Sequence, residues 1–377
     1  MQLVPLLPPD RITVDLQITI HARGNAYTAD IHTRYGYFGV TIPLTRDDVA
    51  SRNKLLQQAI QAVANSFGDV ARYEQALMDL VHVGKFVFET VFPDSATRQA
   101  IRNALYDGAV VEIASNDFSL PWEFLYDGTP SDKDAPLNHW GMKYIISRFI
   151  IQNNCQGAFA MRDMEVPRPV VGFIYYNELR SVVEQEHPDL KELHRKKHIK
   201  LIVLQALSMT QRNAGLEELR RFLSQEMHIL HFACHAYEQS PIERSFLHIT
   251  QDFRISMIDF VVCQYVLHHH PFVILNACLT SVIDPRYTSS WATYLWKHGA
   301  KGVLATDFHV PDRFAAAFSR KLYQHLLQNE PIGPALLAIR QEFWHESNQR
   351  NLLALAYALY SPPSIRLRNS RNRRRKF

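Results

Sequence analysis

The second half of the chain alternates between two hydrophobic patterns, and this alternation limits the possible folds more than any other feature. Short apolar runs typical of buried strands are separated by longer segments with the three- and four-residue spacing of helices. The predicted strands span 170–176, 199–205, 228–233, 271–276 and 301–306. The predicted helices span 178–194, 213–225, 287–298, 312–328 and 332–345, and a final apolar run covers 352–360. The pattern predicts an α/β fold with a mainly parallel sheet flanked by helices.

The first half has a different pattern, which predicts a mixed α+β region. Leu16, Ile18 and Ile20 alternate with polar residues, a turn is expected at Gly24-Asn25, and residues 27–43 form a second extended run. A β-hairpin or meander should therefore begin the fold. Helical spacing follows at 47–67, 71–90 and 95–106, and further strands are expected at 109–113 and 143–151.

The length of 377 residues suits two domains. Residues 152–169 lose hydrophobic periodicity and contain Pro167 and Pro169, so we interpret them as a linker. The predicted organisation is an N-terminal region at 1–151, the linker, a main domain at 170–365 and a basic, disordered tail at 366–377.

Composition indicates a soluble cytoplasmic protein. The chain is 47% hydrophobic and 21% charged, and its four cysteines include no C-x-x-C pair, which favours a reducing compartment. No apolar stretch approaches the roughly 18 residues of a membrane span, so we expect no membrane association.

The net charge of +4 comes from the C-terminal tail. Seven of the 41 Lys and Arg lie in the last twelve residues, and without them 34 basic residues face 37 acidic ones, a net charge of −3. Contact with nucleic acid is therefore expected only through this Arg-rich tail, and the alternative is a solvated, disordered end.

Two predicted strands of the second half end in reactive residues. Residues 229–236 read ILHFACHA and residues 272–278 read FVILNAC, so His235 and Cys278 each follow an apolar run. Because neighbouring parallel strands end at the same edge of a sheet, these side chains can meet there. Cys278 is then the candidate nucleophile and His235 its general acid/base, with the backbone N–H groups of Ala236 and Cys278 as a candidate oxyanion hole.

Other chemistries have little support in the sequence. The GxxxxGK[ST] phosphate loop, the GxGxxG turn and HExxH are absent, so no cofactor is predicted. Three adjacent histidines at 268–270 cannot all point one way, and no metal site is predicted. Asp284, in the loop after Cys278, either lines a substrate cleft or only begins the next helix.

Several sequence blocks resemble those of CHAT domains. HFACHA at 231–236 resembles the family block H-F-A-G-H-G, and LNACLT at 275–280 resembles L-S-A-C-x-T. LPWEFL at 120–125 and GAKGVLAT at 299–306 are similar to two further blocks, and the similarity covers roughly residues 100–367.

This resemblance implies a caspase-hemoglobinase fold in which an N-terminal pseudo-protease-like half packs against an active half. It implies a caspase-like cysteine endopeptidase of clan CD that cleaves a partner protein, as in bacterial defence or programmed-death systems. The chain shows no sensor repeats, so a separate activator or sensor protein is expected. The alternative is a catalytically silent CHAT scaffold that binds a protein partner in the same cleft.

The chain departs from the family pattern at two places. Cys234 and Ala236 stand on either side of His235 where the family has glycine, and a methyl group there is expected to narrow the oxyanion site. Asp307 stands where the family commonly has leucine. In related peptidases a carboxylate at this point lines the S1 pocket, so Asp307 is a candidate substrate-binding residue that would favour Arg or Lys at P1.

Overall fold

The computed structural model of the protein describes residues 12–115, 117–130, 135–151, 164–237, 239, 241–250, 252–277, 291–346 and 350–368. Two β-sheets with flanking helices make up most of this part, and buried apolar side chains from both sheets join in one continuous core. The predicted α/β class is confirmed. Within the described ranges, no helix combines the length and the apolar character that crossing a bilayer requires.

The smaller sheet has five strands in the order β3-β2-β1-β4-β5. β1, β2 and β3 form an antiparallel meander, while β4 and β5 run parallel to β1. Leu16, Ile18 and Ile20 are buried on one face of β1, as their alternation predicts. The strands are β1 Leu16–Arg23, β2 Ala26–Thr33, β3 Gly36–Ile42, β4 Val110–Ser115 and β5 Ile145–Ile150.

The helices of this half lie mainly between β3 and β4, as the spacing predicts. They are α1 Arg46–Asn65, α2 Val70–Val91 and α3 Ser95–Ala104, followed by the short α4 Trp140–Lys143 before β5. Two 3₁₀ turns, Trp122–Phe124 and Ala135–Asn138, lie between β4 and α4.

The larger sheet has eight strands. β8, β7, β9, β12 and β13 are parallel in that spatial order, and β14 closes the far edge antiparallel to β13. The antiparallel pair β10 and β11 extends from the end of β9. The strands are β7 Val170–Tyr175, β8 Lys200–Val203, β9 Ile229–Tyr237, β10 Phe246–Thr250, β11 Phe253–Ser256, β12 Phe272–Ala277, β13 Gly302–Thr306 and β14 Tyr357–Tyr360.

Most helices of this half lie between consecutive parallel strands, while α9 and α10 lie between β13 and the antiparallel strand β14. They are α5 His187–Arg195, α6 Arg212–Leu223, α7 Met257–Val262, α8 Trp291–Lys297, α9 Asp312–Leu327 and α10 Ile332–Glu346. A π-helical turn, Val182–Glu186, leads directly into α5. Three 3₁₀ turns complete the secondary structure: Met209–Gln211, Ile242–Arg244 and Leu353–Ala356.

The smaller sheet lies within residues 16–150 and the larger within 170–360, and β5 runs beside β14 where the sheets meet. A two-stranded parallel pair joins β6, Met164–Glu165, to β15, Leu367–Arg368. β6 falls inside the segment predicted as a linker, and β15 falls inside the segment predicted as a tail.

Candidate active site

β9 and β12 are parallel neighbours in the larger sheet, and their pairing defines the edge where the predicted site residues fall. The pairing runs in register along β12 and ends with Ala277 opposite Cys234. His235 is the next residue of β9, and Cys278 is the residue that follows Ala277 in the sequence. Cys278 lies outside the described residues, as does Asp284.

His235 stands half-buried near the carboxyl end of β9. Its ring centroid lies 5.7 Å from that of Tyr176, which follows the neighbouring strand β7. His235 lines a small cleft between the strand ends, the π-helical turn and α9. The polar residues that share this cleft with His235 are Glu186, Asn276, Thr306 and Asp312.

The surroundings of His235 lower the pKa of its imidazole below the ordinary value of 6.5. Burial is the largest cause, because a charged ring loses hydration there. Asp312 opposes the shift, while His309 and His248 add to it. The ring is therefore mainly neutral at pH 7, which is the form that accepts a proton from a nucleophile.

A buried polar network underlies the cleft, and it was not predicted from the sequence. Asn276 Nδ2 donates to Glu186 Oε1 at 2.9 Å, and the Tyr357 hydroxyl donates to Asn276 Oδ1 at 2.6 Å. His231 Nε2 lies 3.0 Å from the same Glu186 oxygen, and its Nδ1 lies 3.1 Å from the Tyr323 hydroxyl. His231 is fully buried and belongs to this support rather than to the cleft surface.

Ala236 and Cys234 are both buried in β9. Because side chains alternate along a strand, these two residues face away from the side of β9 that carries His231 and His235. The methyl group of Ala236 thus lies on the opposite face of the strand from the imidazole, and its residue pairs with Leu247 of β10. The proposed donation from the Ala236 and Cys278 N–H groups to an oxyanion stays a prediction.

Asp307 follows β13 and is 5% exposed. Arg148 of β5 holds its carboxylate in a forked ion pair, with Nη2 2.7 Å from Oδ2 and Nη1 3.3 Å from Oδ1. The same guanidinium contacts Glu123, and Arg340 lies 3.7 Å from the other Glu123 oxygen. The Asp307 carboxylate is therefore engaged in joining the two halves, and its role in a substrate pocket stays a prediction.

Two solved caspases show structural similarity to the protein. The Drosophila initiator caspase Dronc is 11% identical with a TM-score of 0.35, over 57% of this chain and 91% of its own. Caspase-1 from Spodoptera frugiperda is 11% identical with a TM-score of 0.33, over 55% and 91%. No curated protein sequence matches the chain.

The family comparison agrees with the resemblance predicted from the sequence blocks. The model of the CHAT domain matches residues 118–374, which include both β9 and β12. Because that match extends over more than half of the chain, the protein belongs to the CHAT domain family.

Proposed function

We propose that the protein is a cysteine endopeptidase in which Cys278 is the nucleophile and His235 the general acid/base. The observation that carries the proposal is the register of β9 and β12, which pairs Cys234 with Ala277. The next residues in the sequence after this pair are His235 and Cys278. Adjacent strands lie about 4.8 Å apart, so this register favours a thiol within reach of the ring.

The chemistry follows from the neutral imidazole. His235 takes the proton of the Cys278 thiol as sulfur attacks the scissile carbonyl, and the resulting imidazolium protonates the leaving amine. Water then hydrolyses the thioacyl intermediate. The N–H groups of Ala236 and Cys278 would stabilise the tetrahedral oxyanion.

The substrate and the regulation are proposed from family membership. Membership of the CHAT domain family supports three proposals. The substrate is a protein, the role is that of an effector in a bacterial defence or cell-death system, and a separate protein activates the enzyme. The competing hypothesis is a silent scaffold that binds a protein in the same cleft. The feature that favours the scaffold is the presence of Cys234 and Ala236 beside His235, where the family has glycine on both sides.

The first test measures the reactivity of the Cys278 thiol, which requires no knowledge of substrate or activator. Alkylation by iodoacetamide should be followed from pH 5 to 10 on the peptide that contains Cys278, using mass spectrometry. An unassisted thiol ionises near pH 8.5. We expect an apparent midpoint at least about one unit lower, which belongs to the Cys–His pair as a whole.

His235→Ala should return the midpoint to about 8.5, because the base is lost. The matched control is His345→Ala, which makes the same substitution at an exposed residue of α10 outside the cleft. It should leave the midpoint close to that of the wild type. A wild-type midpoint near 8.5 that His235→Ala does not change would contradict the proposal.

Cleavage separates the endopeptidase from the silent scaffold. New protein N-termini should be mapped after adding the protein to a bacterial lysate, with Cys278→Ala as the inactive variant. Cys263→Ala is the control, since Cys263 is a partly buried thiol outside the cleft. The lysate should come from the organism that produces the protein, so that any activator is present. A lowered midpoint for Cys278 alkylation together with no cleavage in this lysate would favour the scaffold.

A further inference from the structure

Asn276 is a polar residue at the end of an otherwise apolar strand, Phe272–Ala277. It is 6% exposed, so its amide must find partners inside the protein. Its Nδ2 donates to Glu186 Oε1 at 2.9 Å and to the backbone oxygen of Ala315 at 3.1 Å. Its Oδ1 accepts from the Tyr357 hydroxyl at 2.6 Å. One side chain thereby ties β12 to the π-helical turn, α9 and β14.

The partners of Asn276 are themselves held in place. Glu186 is 1% exposed, lies at the end of the π-helical turn and contacts His231. The ring of Tyr357 stacks on Phe318 of α9, with centroids 3.5 Å apart and planes within 5°. π-helical turns are rare and occur often at functional sites. Here the turn places a buried carboxylate beneath the strand that leads to Cys278.

We propose that Asn276 is a positioning residue for the dyad. Paired residues of neighbouring strands face the same way and residues two apart share a face, so Asn276, which pairs with Ala233, lies on the face that carries His235. Two of its hydrogen bonds fix the carboxyl end of β12 against the π-helical turn and α9, which also form the cleft around His235, and the third joins it to β14. This inference rests on the proposed function and assigns a further residue to it.

The test exchanges the amide and the carboxylate. Asn276→Asp places two carboxyl groups about 3 Å apart. Two groups this close do not both ionise readily, and once both are charged they disfavour a further negative charge on the thiolate. The double variant Asn276→Asp with Glu186→Gln restores one amide and one carboxylate. The amide at position 186 then donates the hydrogen bond and the carboxylate at position 276 accepts it. The readout is the pH midpoint of Cys278 alkylation by iodoacetamide.

We expect Asn276→Asp to raise the midpoint by about one unit, which is about a tenfold slower reaction at pH 7. In the double variant, the midpoint should return to within about 0.3 pH units of the wild-type midpoint. Tyr357→Phe removes a hydrogen bond without changing charge and should also raise the midpoint. Tyr73→Phe is its control, because that buried hydroxyl donates to the backbone oxygen of Arg350, outside the network and the cleft.

Thermal melting of each variant should accompany these measurements. A lowered melting temperature together with a wild-type midpoint in both Asn276→Asp and Tyr357→Phe would show a purely structural role and overturn the inference. An equal shift in Tyr73→Phe would do the same. Failure of the proposed function can be distinguished from failure of this inference. In that case the wild-type midpoint would lie near pH 8.5 and His235→Ala would not change it.

Discussion

Gly84 lies at the point where α2 passes closest to the segment after β4. A Cβ added at this position would lie 2.4 Å from the backbone oxygen of Phe124 and 3.1 Å from the His139 ring. The backbone oxygen of Phe124 cannot move aside to make room for the added methyl group, as the end of a flexible side chain could. Gly84→Ala should therefore lower the free energy of unfolding by about 1–3 kcal/mol through overpacking, despite the better helix propensity of alanine.

Urea unfolding at pH 7 measures this effect. Glu89→Ala is the matched control, because it introduces the same residue on the exposed side of α2. The control should change the free energy of unfolding by less than about 0.5 kcal/mol. If Gly84→Ala were as stable as the wild type, the close approach of α2 to Phe124 would be contradicted.

Individual site residues differ in how far the sequence could reveal them. His235 was predicted because it ends an apolar strand in a recognisable block, and the structure places it at a cleft. Asp307 has a similar position after β13, but the sequence could not show that Arg148, 159 residues away, would engage it. Glu186 was missed because a single Glu in a helical pattern carries no sign of burial. Its partner Asn276 comes from another element.

The start of α1 illustrates how a helix boundary depends on charge. Thr45 Oγ1 accepts from the Asp48 backbone N–H, and Asp48 Oδ2 accepts from the Thr45 backbone N–H at 2.9 Å, forming a capping box. The backbone bond, and then the side-chain bond with Thr45, lower the pKa of Asp48 below its ordinary value of 3.8. The carboxylate therefore stabilises the fold above about pH 4, and this contribution is lost as pH falls through the lowered pKa.

Asp48→Asn should reduce the free energy of unfolding by about 0.5–1 kcal/mol at pH 7, and the difference from wild type should shrink as pH falls below 4. Urea unfolding at several pH values measures both quantities. Asp47→Asn is the control, because Asp47 shares the first turn and the helix dipole without the capping bonds. A pH-independent loss in Asp48→Asn would contradict a role for its charge.

Elements with long periodic patterns were predicted well, and short or irregular ones were not. The spacing in 47–67 and 312–328 corresponds to α1 and α9 within a few residues. The single extended run predicted at 27–43 is instead two strands, β2 and β3. A short turn separates them just before Gly36, whose backbone φ is positive. β10 and β11 were missed because strands of five and four residues are too short to show a clear period.

At the scale of the whole molecule, buried charges join the two sheets. Glu123 and Arg148 come from the N-terminal half, while Asp307 and Arg340 come from the C-terminal half. Each guanidinium contacts at least one carboxylate, and all four residues are at most 6% exposed. A sequence without an alignment cannot pair charges so far apart. The change of hydrophobic pattern indicated a different set of strands in each half, but it could not indicate this connection between them.

Arg148→Met tests the connection. Burial, opposed by Arg148 and Arg340, already raises the pKa of Glu123, and removing Arg148 leaves two buried carboxylates with one guanidinium. Breaking a buried pair in this way costs about 3–5 kcal/mol. In the variant the folded state binds protons more readily than the unfolded state, so its free energy of unfolding should fall as pH rises from about 4 to 7.

Urea unfolding of wild type and Arg148→Met across that pH range gives the measurement. Arg180→Met is the matched control, because Arg180 forms an exposed pair with Glu184 at 2.8 Å, and exposed pairs contribute little to stability at any pH. Adding Asp307→Asn to Arg148→Met removes one unpaired charge and should recover part of the lost stability at pH 7. If the double variant were less stable than Arg148→Met, the loss would come from packing and not from unpaired charge.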